Sequence, residues 1–230
     1  MEVVYTLTDN LHPYLLPSIM SLLDHNKVKK IWIITNKEIP YKLPKQCEVI
    51  IDYPQNYLIA GGANWYTVWT PYALMRVATA KIIPSDKVLQ LDVDTIICDS
   101  LEELWNTDLE GYDVAAVQEK ELKEYLFDDA YYNMGVLLWN LKELRNSPTV
   151  DRMINLLDST PLPFPDQDAM NLLCRRKAIP SRYNEIITTG ISDDPAIVHY
   201  ASYNKWWQPG TPRGEYYDKY RKYERIPPKE

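Results

Sequence analysis

The sequence predicts an α/β fold built on a largely parallel sheet. In the first half of the chain, short apolar runs typical of buried strands alternate with stretches whose apolar residues recur at helical spacing. Acidic and polar residues follow the ends of two of these strands, where an open α/β sheet binds its ligands. The chain has 230 residues, of which 46% are hydrophobic, and this is enough for one domain with a sizeable core.

The first half is accounted for by strands and helices in alternation. The predicted strands are residues 2–8, 30–35, 47–52 and 87–92. The predicted helices are residues 11–23 and 69–83. Because strands alternate with helices, we expect parallel strand pairs with helices on both faces of the sheet.

The second half has a more mixed pattern. The predicted strands are residues 113–117, 135–139 and 196–200, and the predicted helices are residues 141–157, broken near Pro148, and 166–177. No internal repeat, low-complexity tract or long linker interrupts the pattern. We therefore expect residues 1–230 to form a single domain.

Composition narrows the classes of function. The net charge of −7 and the pI of about 5.1 argue against binding to a nucleic-acid backbone. Glycine is scarce and neither GxGxxG nor GxxxxGK[ST] occurs, so any phosphate group would depend on a metal or on a local basic pocket. No apolar run reaches the ~20 residues of a membrane span. The first residues indicate a strand rather than a signal peptide, so we expect a cytoplasmic protein.

The three cysteines are Cys47, Cys98 and Cys174. They form neither a CxxC motif nor a Cys–His cluster. We interpret them as buried thiols of a reducing compartment.

The paired aspartates Asp92 and Asp94 are the strongest chemical signal. They lie in VLQLDVDTII, an otherwise apolar run at the end of a predicted strand. Two carboxylates two residues apart on extended backbone point to the same face, where they repel each other. A divalent cation relieves that repulsion, and carboxylate oxygens suit Mg²⁺ or Mn²⁺.

Other polar residues also fall at strand or helix ends. His199 ends an apolar strand and is either an edge histidine or a third metal ligand, and an imidazole ligand would favour Mn²⁺ over Mg²⁺. Lys205 is either a surface lysine or a contact for a diphosphate. Asn133 stands just before a buried strand, and Asp166, Gln167 and Asp168 open a helix, for which Asp166 is alternatively the N-cap.

Taken in order, these motifs resemble glycosyltransferase family 8, which includes glycogenin and the bacterial lipooligosaccharide galactosyltransferases. The resemblance covers roughly residues 3–207. It runs through YTLTDN, RVATAKIIPSDKVLQLDVDTII, NMGVLLWNL, DQDAMN and HYASYNKWW. The whole series is far more specific than any one motif in it.

The resemblance implies a fold and a set of site residues. The expected fold is of the GT-A type: α/β, with a Rossmann-like, mostly parallel central sheet, helices on both faces and a small antiparallel section. By resemblance, Asp92, Asp94 and His199 would hold Mn²⁺, with Mg²⁺ as the alternative. The expected donor contacts are Thr8, Asp9, Asn10, Arg76, Val93 and Lys205. The expected lining of the sugar pocket, which includes the catalytic candidates, is Asn133, Asp166, Gln167 and Asp168.

The resemblance further implies a retaining hexosyltransferase. Its donor would be a UDP-sugar, UDP-glucose or UDP-galactose, and its acceptor a glycan, a glycolipid or a glycoprotein. We expect front-face attack rather than double displacement, for which Asp166 and Asp168 are the candidate nucleophiles.

Other functions remain as alternatives. These are a metal-dependent nucleotidyltransferase, a glycoside hydrolase and a non-catalytic protein that binds nucleotide sugars. A nucleotidyltransferase would need a triphosphate-binding cluster near the start of the chain, whereas residues 1–20 contain neither lysine nor arginine. A glycoside hydrolase needs no metal.

Two further segments have alternative interpretations. The loop at residues 56–66 is either a lid that closes over the donor or a static wall for the acceptor. Residues 216–225, within a basic and aromatic tail at about 208–230, mix tyrosine with lysine and arginine. They predict either a solvated surface helix or a contact with an acceptor, a partner or a peripheral membrane surface.

Overall fold

A seven-stranded sheet forms the centre of the protein, which we describe from a computed structural model. The structure describes residues 1–119, 130–188, 192–201, 205–206, 208 and 210–225. Its strands are β1 (Glu2–Thr6), β2 (Lys30–Thr35), β3 (Cys47–Ile51), β4 (Lys87–Leu91), β5 (Thr95–Ile97), β6 (Val114–Gln118), β7 (Tyr132–Asn140), β8 (Arg176–Ile179), β9 (Glu185–Ile186) and β10 (Ile197–His199).

The central sheet is mostly parallel, which confirms the prediction. Its strand order is β3-β2-β1-β4-β7-β6-β8. The pairs β1–β2, β2–β3, β1–β4 and β6–β8 are parallel, and only β7 runs antiparallel to its neighbours β4 and β6. The carboxyl ends of β1 and β4 therefore lie side by side at one edge.

A second sheet of three short strands supplies the predicted antiparallel section. Its order is β5-β10-β9, with β5 antiparallel and β9 parallel to β10. The sequence pattern predicted β10 but neither β5 nor β9, which have three and two residues. Strands this short have no measurable periodicity, and only their pairing with β10 defines them.

The helices are α1 (His12–His25), α2 (Pro71–Met75), α3 (Thr79–Ile82), α4 (Glu102–Trp105), α5 (Leu141–Arg145), α6 (Thr149–Ser159), α7 (Pro165–Leu173) and α8 (Gly214–Asp218). The helix predicted over 69–83 is divided into α2, a 3-10 turn at Arg76–Ala78 and α3. The predicted break near Pro148 separates α5 from α6. The short helix α4 was not predicted.

The prediction that one helix extends over residues 166–177 is wrong. Helix α7 ends at Leu173, Cys174 is extended, and β8 follows at once. The Arg175 backbone N–H and guanidinium both donate to the Asp113 carboxylate, which directs the chain onto the edge of β6. Pairing with β6 thus overrides the local helical pattern.

Both faces of the central sheet are buried under helices, as predicted. On one face, Val4, Val88 and Leu137 pack with residues of α2, α5, α6 and α7. On the other face, Val3 and Leu89 pack with residues of α1 and α4. Because neighbouring residues of each strand point to opposite faces, the same strands serve both halves of the core.

The C-terminal part of the described chain packs on the small sheet. Tyr217 is 1% exposed and its ring centroid lies 5.5 Å from that of Trp206. Tyr220 is also buried, in a cluster with Val198 of β10. The expectation of a solvated helix over 216–225 is therefore wrong, because its tyrosines complete a third apolar cluster. Residues 226–230 of the predicted tail lie outside the described residues. Within the described part of the chain, no helix is both long and apolar enough to cross a bilayer.

Candidate active site

The turn between the two sheets carries the paired aspartates. Asp92 follows β4, and its backbone N–H donates to the Gly135 carbonyl at 2.9 Å. The Thr95 hydroxyl donates to the Asp92 carbonyl at 2.7 Å, and the Tyr200 N–H donates to the Asp94 carbonyl at 2.8 Å. These bonds fix the backbone on both sides of the turn, so the position of the two carboxylates is set by main-chain pairing.

His199 completes a group of three candidate ligands. It ends β10, opposite Thr95, and is 3% exposed. Its Nε2 lies 3.3 Å from Asp94 Oδ1 and 3.8 Å from Asp92 Oδ2. Within the described residues, Asp92, Asp94 and His199 form the one group whose ligand atoms could hold a metal, and these atoms lie within 4.8 Å of one another. We call this group the Asp-Asp-His triad.

The triad fits a hard divalent cation. Two ligands of one octahedral ion at about 2.1 Å from it are roughly 3 Å apart when adjacent and roughly 4 Å apart when opposite. The distances from His199 Nε2 to the two carboxylate oxygens, 3.3 and 3.8 Å, are of this size. Two carboxylate oxygens and an imidazole nitrogen are also a donor set that suits such ions.

Two cationic side chains lie against the triad carboxylates. The Arg76 guanidinium approaches Asp92 Oδ1 at 3.0 Å with Nη1 and Asp166 Oδ2 at 3.0 Å with Nε. The Lys205 ammonium lies 2.5 Å from Asp94 Oδ2 and also donates to the Tyr200 carbonyl at 3.2 Å. Three carboxylates thus share two permanent cations, which leaves the cluster receptive to further positive charge.

Burial and neighbouring charges shift the pKa values of the three carboxyl groups in different directions. Burial raises the pKa of Asp92 above its ordinary value, although the positive charge of Arg76 opposes the shift. For Asp94 the effect of burial is outweighed by His199 and Lys205, which hold its pKa well below the usual range. Burial also raises the pKa of Asp166, against the charge of Arg76. The three carboxyl groups therefore do not ionise alike.

The absence of a side chain at residue 135 makes room for the site. A Cβ at Gly135 would lie 2.1 Å from His199 Cε1 and 3.0 Å from Asp92 Oδ2. Contacts this short are not tolerated, and the backbone of β7 is held on both sides by β4 and β6. Only glycine therefore allows His199 to lie beside Asp92.

The DQD segment brings one of its three side chains to the triad. Asp166 is the second residue of α7, where it pairs with Arg76; the N-cap position is Phe164, so the N-cap alternative for Asp166 is wrong. Gln167 accepts from the Met134 N–H at 2.9 Å and donates to the Tyr131 hydroxyl at 3.1 Å.

Asp168 lies deeper in the protein and is 0% exposed. It accepts from the Tyr131 hydroxyl at 2.5 Å and from the Phe164 N–H at 2.9 Å. Both of its oxygens are thus engaged by the protein, and burial raises its pKa despite these bonds.

Asn133 lies on β7 beside the triad. Its Oδ1 accepts from the Gly135 N–H at 2.9 Å and from Asn184 Nδ2 at 2.8 Å. Its Nδ2 donates to Glu119 Oε2 at 3.2 Å. Asn184 in turn lies 2.8 Å from His199 Nδ1. Neither Asn184 nor Glu119 was predicted, because an isolated polar residue outside a motif gives no sequence signal.

The predicted nucleotide contacts lie at the carboxyl end of β1. The Thr8 hydroxyl donates to Asn10 Oδ1, and Asn10 is exposed. Asp9 exchanges two hydrogen bonds with Asn36, at 2.7 and 2.8 Å, and pairs with Lys37 at 2.5 Å. Hydrogen bonds from Asn36 and Lys37 lower the pKa of Asp9 to about 2. Val93, between the triad aspartates, is half-buried against the core.

Hydrogen bonds hold the loop at residues 56–66 against the end of α6. Asn64 is 1% exposed, donates to the Leu157 and Thr160 carbonyls at 2.7 Å each, and accepts from the Leu162 N–H at 2.8 Å. Asp158 accepts from the Ile59 N–H at 3.0 Å. These bonds fasten the loop to the end of α6, whereas Tyr66, at its end, is 86% exposed.

Solved structures resemble this fold closely. The galactosyltransferase LgtC in complex with donor and acceptor sugar analogs matches with a TM-score of 0.84 over 100% of this chain and 98% of that chain, at 22% identity. The glycosyltransferase GlyE of Streptococcus pneumoniae TIGR4 matches with a TM-score of 0.72 over 98% of this chain and 60% of that chain, at 20% identity. At such identities the likeness establishes the fold, and the fold is that of GT-A glycosyltransferases.

Relatives by sequence point in the same direction. Glycosyltransferase GlyA of Streptococcus pneumoniae is 30% identical over 156 residues, which are 62% of this chain and 22% of that protein. The lipopolysaccharide 1,2-glucosyltransferase of Escherichia coli is 30% identical over 151 residues, 53% of this chain and 44% of that protein. The chain thus spans less than half the length of these two relatives. The model of "Glycosyl transferase family 8" matches residues 2–210, so the chain belongs to glycosyl transferase family 8.

Proposed function

We propose that this protein transfers a hexose from a UDP-sugar, UDP-glucose or UDP-galactose, to a hydroxyl group of a glycan, glycolipid or glycoprotein acceptor. The observation that carries the proposal is the convergence of the Asp-Asp-His triad with Arg76 and Lys205 at the carboxyl edge of the sheet. Acidic ligands for a cation beside two basic side chains suit a diphosphate leaving group. Membership of the family and the relatives' names, a glucosyltransferase and a galactosyltransferase among them, support this substrate class.

We propose Mn²⁺ as the cation, because an imidazole in the donor set favours it over Mg²⁺. Asp92, Asp94 and His199 would hold it. A divalent cation bound there supplies positive charge to the diphosphate as the glycosidic bond breaks. The triad carboxylates would then no longer depend on Arg76 and Lys205 for charge compensation, so both side chains could contact phosphate oxygens.

We propose that the configuration of the sugar is retained by front-face attack. In this reaction the acceptor hydroxyl approaches from the side on which the diphosphate leaves, and its proton passes to the departing phosphate oxygen. A double displacement would instead need a carboxylate free to bond the anomeric carbon. Asp166 is paired with Arg76 and both oxygens of Asp168 accept hydrogen bonds inside the protein, which supports the front-face route.

Under this proposal Thr8, Asp9 and Asn10 contact the base and ribose, because they follow β1 directly beside β4. Gln167 and Asn133 line the sugar pocket next to the triad. Gln167 is already oriented by the Met134 N–H, so its amide is fixed before a donor arrives.

Donor hydrolysis tests the proposal. Purified protein is incubated with a panel of UDP- and GDP-sugars, with Mn²⁺ or with chelator, and the released nucleoside diphosphate is measured. We expect Mn²⁺-dependent release from one donor, and its loss in Asp92→Asn and Asp94→Asn. The Asp193→Asn variant, which removes the same charge from an exposed position, should behave like the wild type.

Absence of release from every donor has two causes, a strict need for acceptor or a wrong assignment. Calorimetry of UDP binding with Mn²⁺ separates them. Binding that needs Mn²⁺ and the triad supports the proposal, and absence of binding overturns it.

A further inference from the structure

Asn184 is a buried residue whose side-chain amide contacts the candidate metal ligand His199. It lies between the 3-10 turn Ser181–Tyr183 and β9, and is 2% exposed. Its side chain lies 2.8 Å from His199 Nδ1, on the opposite side of the imidazole from Asp92 and Asp94. Burying an amide costs free energy unless its polar atoms form hydrogen bonds. The hydrogen-bond partners of Asn184 therefore show which way its amide is oriented.

The orientation of the neighbouring Asn133 is fixed from two sides. The backbone N–H of Gly135 can only donate, so the Asn133 atom it meets at 2.9 Å is Oδ1. A carboxylate oxygen is an acceptor, so the Asn133 atom that meets Glu119 Oε2 at 3.2 Å is Nδ2. Both neighbours therefore require the same orientation of this side chain.

The orientation of Asn184 follows from that of Asn133. The atom of Asn184 that lies 2.8 Å from Asn133 Oδ1 must be a donor, and is Nδ2. The other atom of the amide, Oδ1, then faces His199 Nδ1. Because a carbonyl oxygen only accepts, Nδ1 must carry the imidazole proton.

A neutral imidazole has one N–H donor and one nitrogen lone pair. With the proton on Nδ1, the lone pair is on Nε2, the atom that lies nearest to the triad carboxylates. The opposite tautomer would present an N–H to the metal position and could not bind a cation. In the metal-free protein that N–H would face Asp94 Oδ1 at 3.3 Å, so Asp94 and Asn184 compete for the imidazole proton. A chain of hydrogen bonds from Gly135 through Asn133 and Asn184 thus selects the form of His199 that can bind metal.

We propose that Asn184 is a positioning residue for the metal site, which sets the tautomer and the ring orientation of His199. The inference rests on the metal site of the proposed function. Asn184 itself touches neither donor nor acceptor, and its effect reaches the cation only through the imidazole. Partners of this kind on the far nitrogen of a ligand histidine typically change metal affinity by about 10- to 100-fold when they are removed.

The tautomer can be observed directly in the metal-free protein. The chain has three histidines, His12, His25 and His199, so a long-range ¹H–¹⁵N correlation spectrum of histidine-labelled protein contains few signals. The spectrum is recorded at increasing pH until the ring nitrogen shifts of His199 stop moving. We expect His199 to be the Nδ1–H tautomer in the wild type. The Nε2–H tautomer there would overturn the proposal without any variant.

Two substitutions at the same position sharpen the test. Asn184→Ala removes the acceptor, so we expect His199 to lose its preference for the Nδ1–H tautomer while His12 and His25 keep theirs. Asn184→Asp gives up the donor to Asn133 Oδ1 but keeps an oxygen acceptor facing His199 Nδ1, so the wild-type tautomer should be retained. Asn26→Ala is the control, because Asn26 accepts from the Leu101 N–H at a distance from the site.

Metal affinity gives a second readout, from titration of Mn²⁺ alone followed by electron paramagnetic resonance. Asn184→Ala should weaken Mn²⁺ binding about 10- to 100-fold, whereas Asn26→Ala should stay within a few-fold of the wild type. A folded Asn184→Ala protein with unchanged tautomer and unchanged affinity overturns the proposal. If the wild type bound no Mn²⁺, the proposed metal site would fail, while the tautomer of the metal-free protein would still decide the role of Asn184.

Discussion

The chain contains the pattern Asp-x-Asp twice, and the carboxylates of the two copies lie in different surroundings. Asp92 and Asp94 lie in the turn between β4 and β5, and both carboxylates lie within reach of His199. Asp166 and Asp168 lie on α7, where residues two apart point in different directions. Asp166 reaches Arg76 at the triad, whereas Asp168 is enclosed with Tyr131.

The difference shows that backbone conformation decides what a pair of carboxylates can do. In the turn between β4 and β5, hydrogen bonds to the backbone of both aspartates hold the two carboxylates beside His199, so the pair can share a ligand. On a helix, the same spacing separates them by more than half a turn, so one carboxylate faces the site and the other faces the core. We expect substitutions to separate the two copies in activity and in stability.

The largest effect is expected from filling the space beside the first pair. In Gly135→Ala the new methyl group would lie 2.1 Å from His199 Cε1, so the imidazole or β7 must move. We expect Mn²⁺ affinity to fall by at least about 100-fold, with a loss of stability of about 1–3 kcal/mol from overpacking. Metal titration and urea unfolding measure the two effects.

The control for this substitution is Gly214→Ala at the start of α8. A Cβ there has open space around it and the backbone has no positive φ. Both measurements should match the wild type. Wild-type Mn²⁺ affinity in Gly135→Ala would contradict the geometry of the triad.

Substitutions at Asp166 and Asp168 should have different effects on donor turnover. Asp166→Asn removes the charge that shares Arg76 with Asp92, so we expect donor turnover to fall about 10- to 100-fold. Asp168→Asn, deeper in the core, should keep near-normal turnover per folded molecule. Donor hydrolysis under saturating Mn²⁺ compares them. Loss of turnover in folded Asp168→Asn would indicate a direct chemical role for that carboxylate and would favour double displacement.

The order of the two residues should be reversed for stability, where we expect Asp168 to matter more than Asp166. Asp168→Ala leaves the buried Tyr131 hydroxyl and the half-buried Phe164 N–H without their acceptor, and we expect a loss of about 1–3 kcal/mol, mainly from the hydroxyl. Asp166→Ala leaves Arg76 still paired with Asp92, so we expect a smaller loss. Urea unfolding of both variants at the same pH tests the order, and a larger loss in Asp166→Ala would reverse our assignment of the two residues.

Sequence patterns predicted the central elements and the paired aspartates Asp92 and Asp94 because each has a local signature, and the family resemblance added His199 to them. The strands before Asp92 and around His199 are apolar runs, and polar residues at their ends stand out against them. Strand β8 was taken for the end of a helix, since its charged residues have no strand pattern and only pairing with β6 creates it. The close approach of Gly135 to His199 has no local signature, because His199 belongs to a neighbouring sheet. Asn184 has no signal at all, because its role exists only through contacts with residues distant in the chain.

The position of the triad at the junction of two sheets has a consequence for the order of folding. Asp92 leaves β4 of the large sheet, while His199 belongs to β10 of the small one, and most of the chain's second half lies between them. The triad cannot assemble until this long loop has closed and the small sheet has docked, so the metal binding that we propose would be a late event in folding. A bound ion would then act as a cross-link between the sheets and, like other clips that close long loops, would chiefly disfavour the unfolded chain.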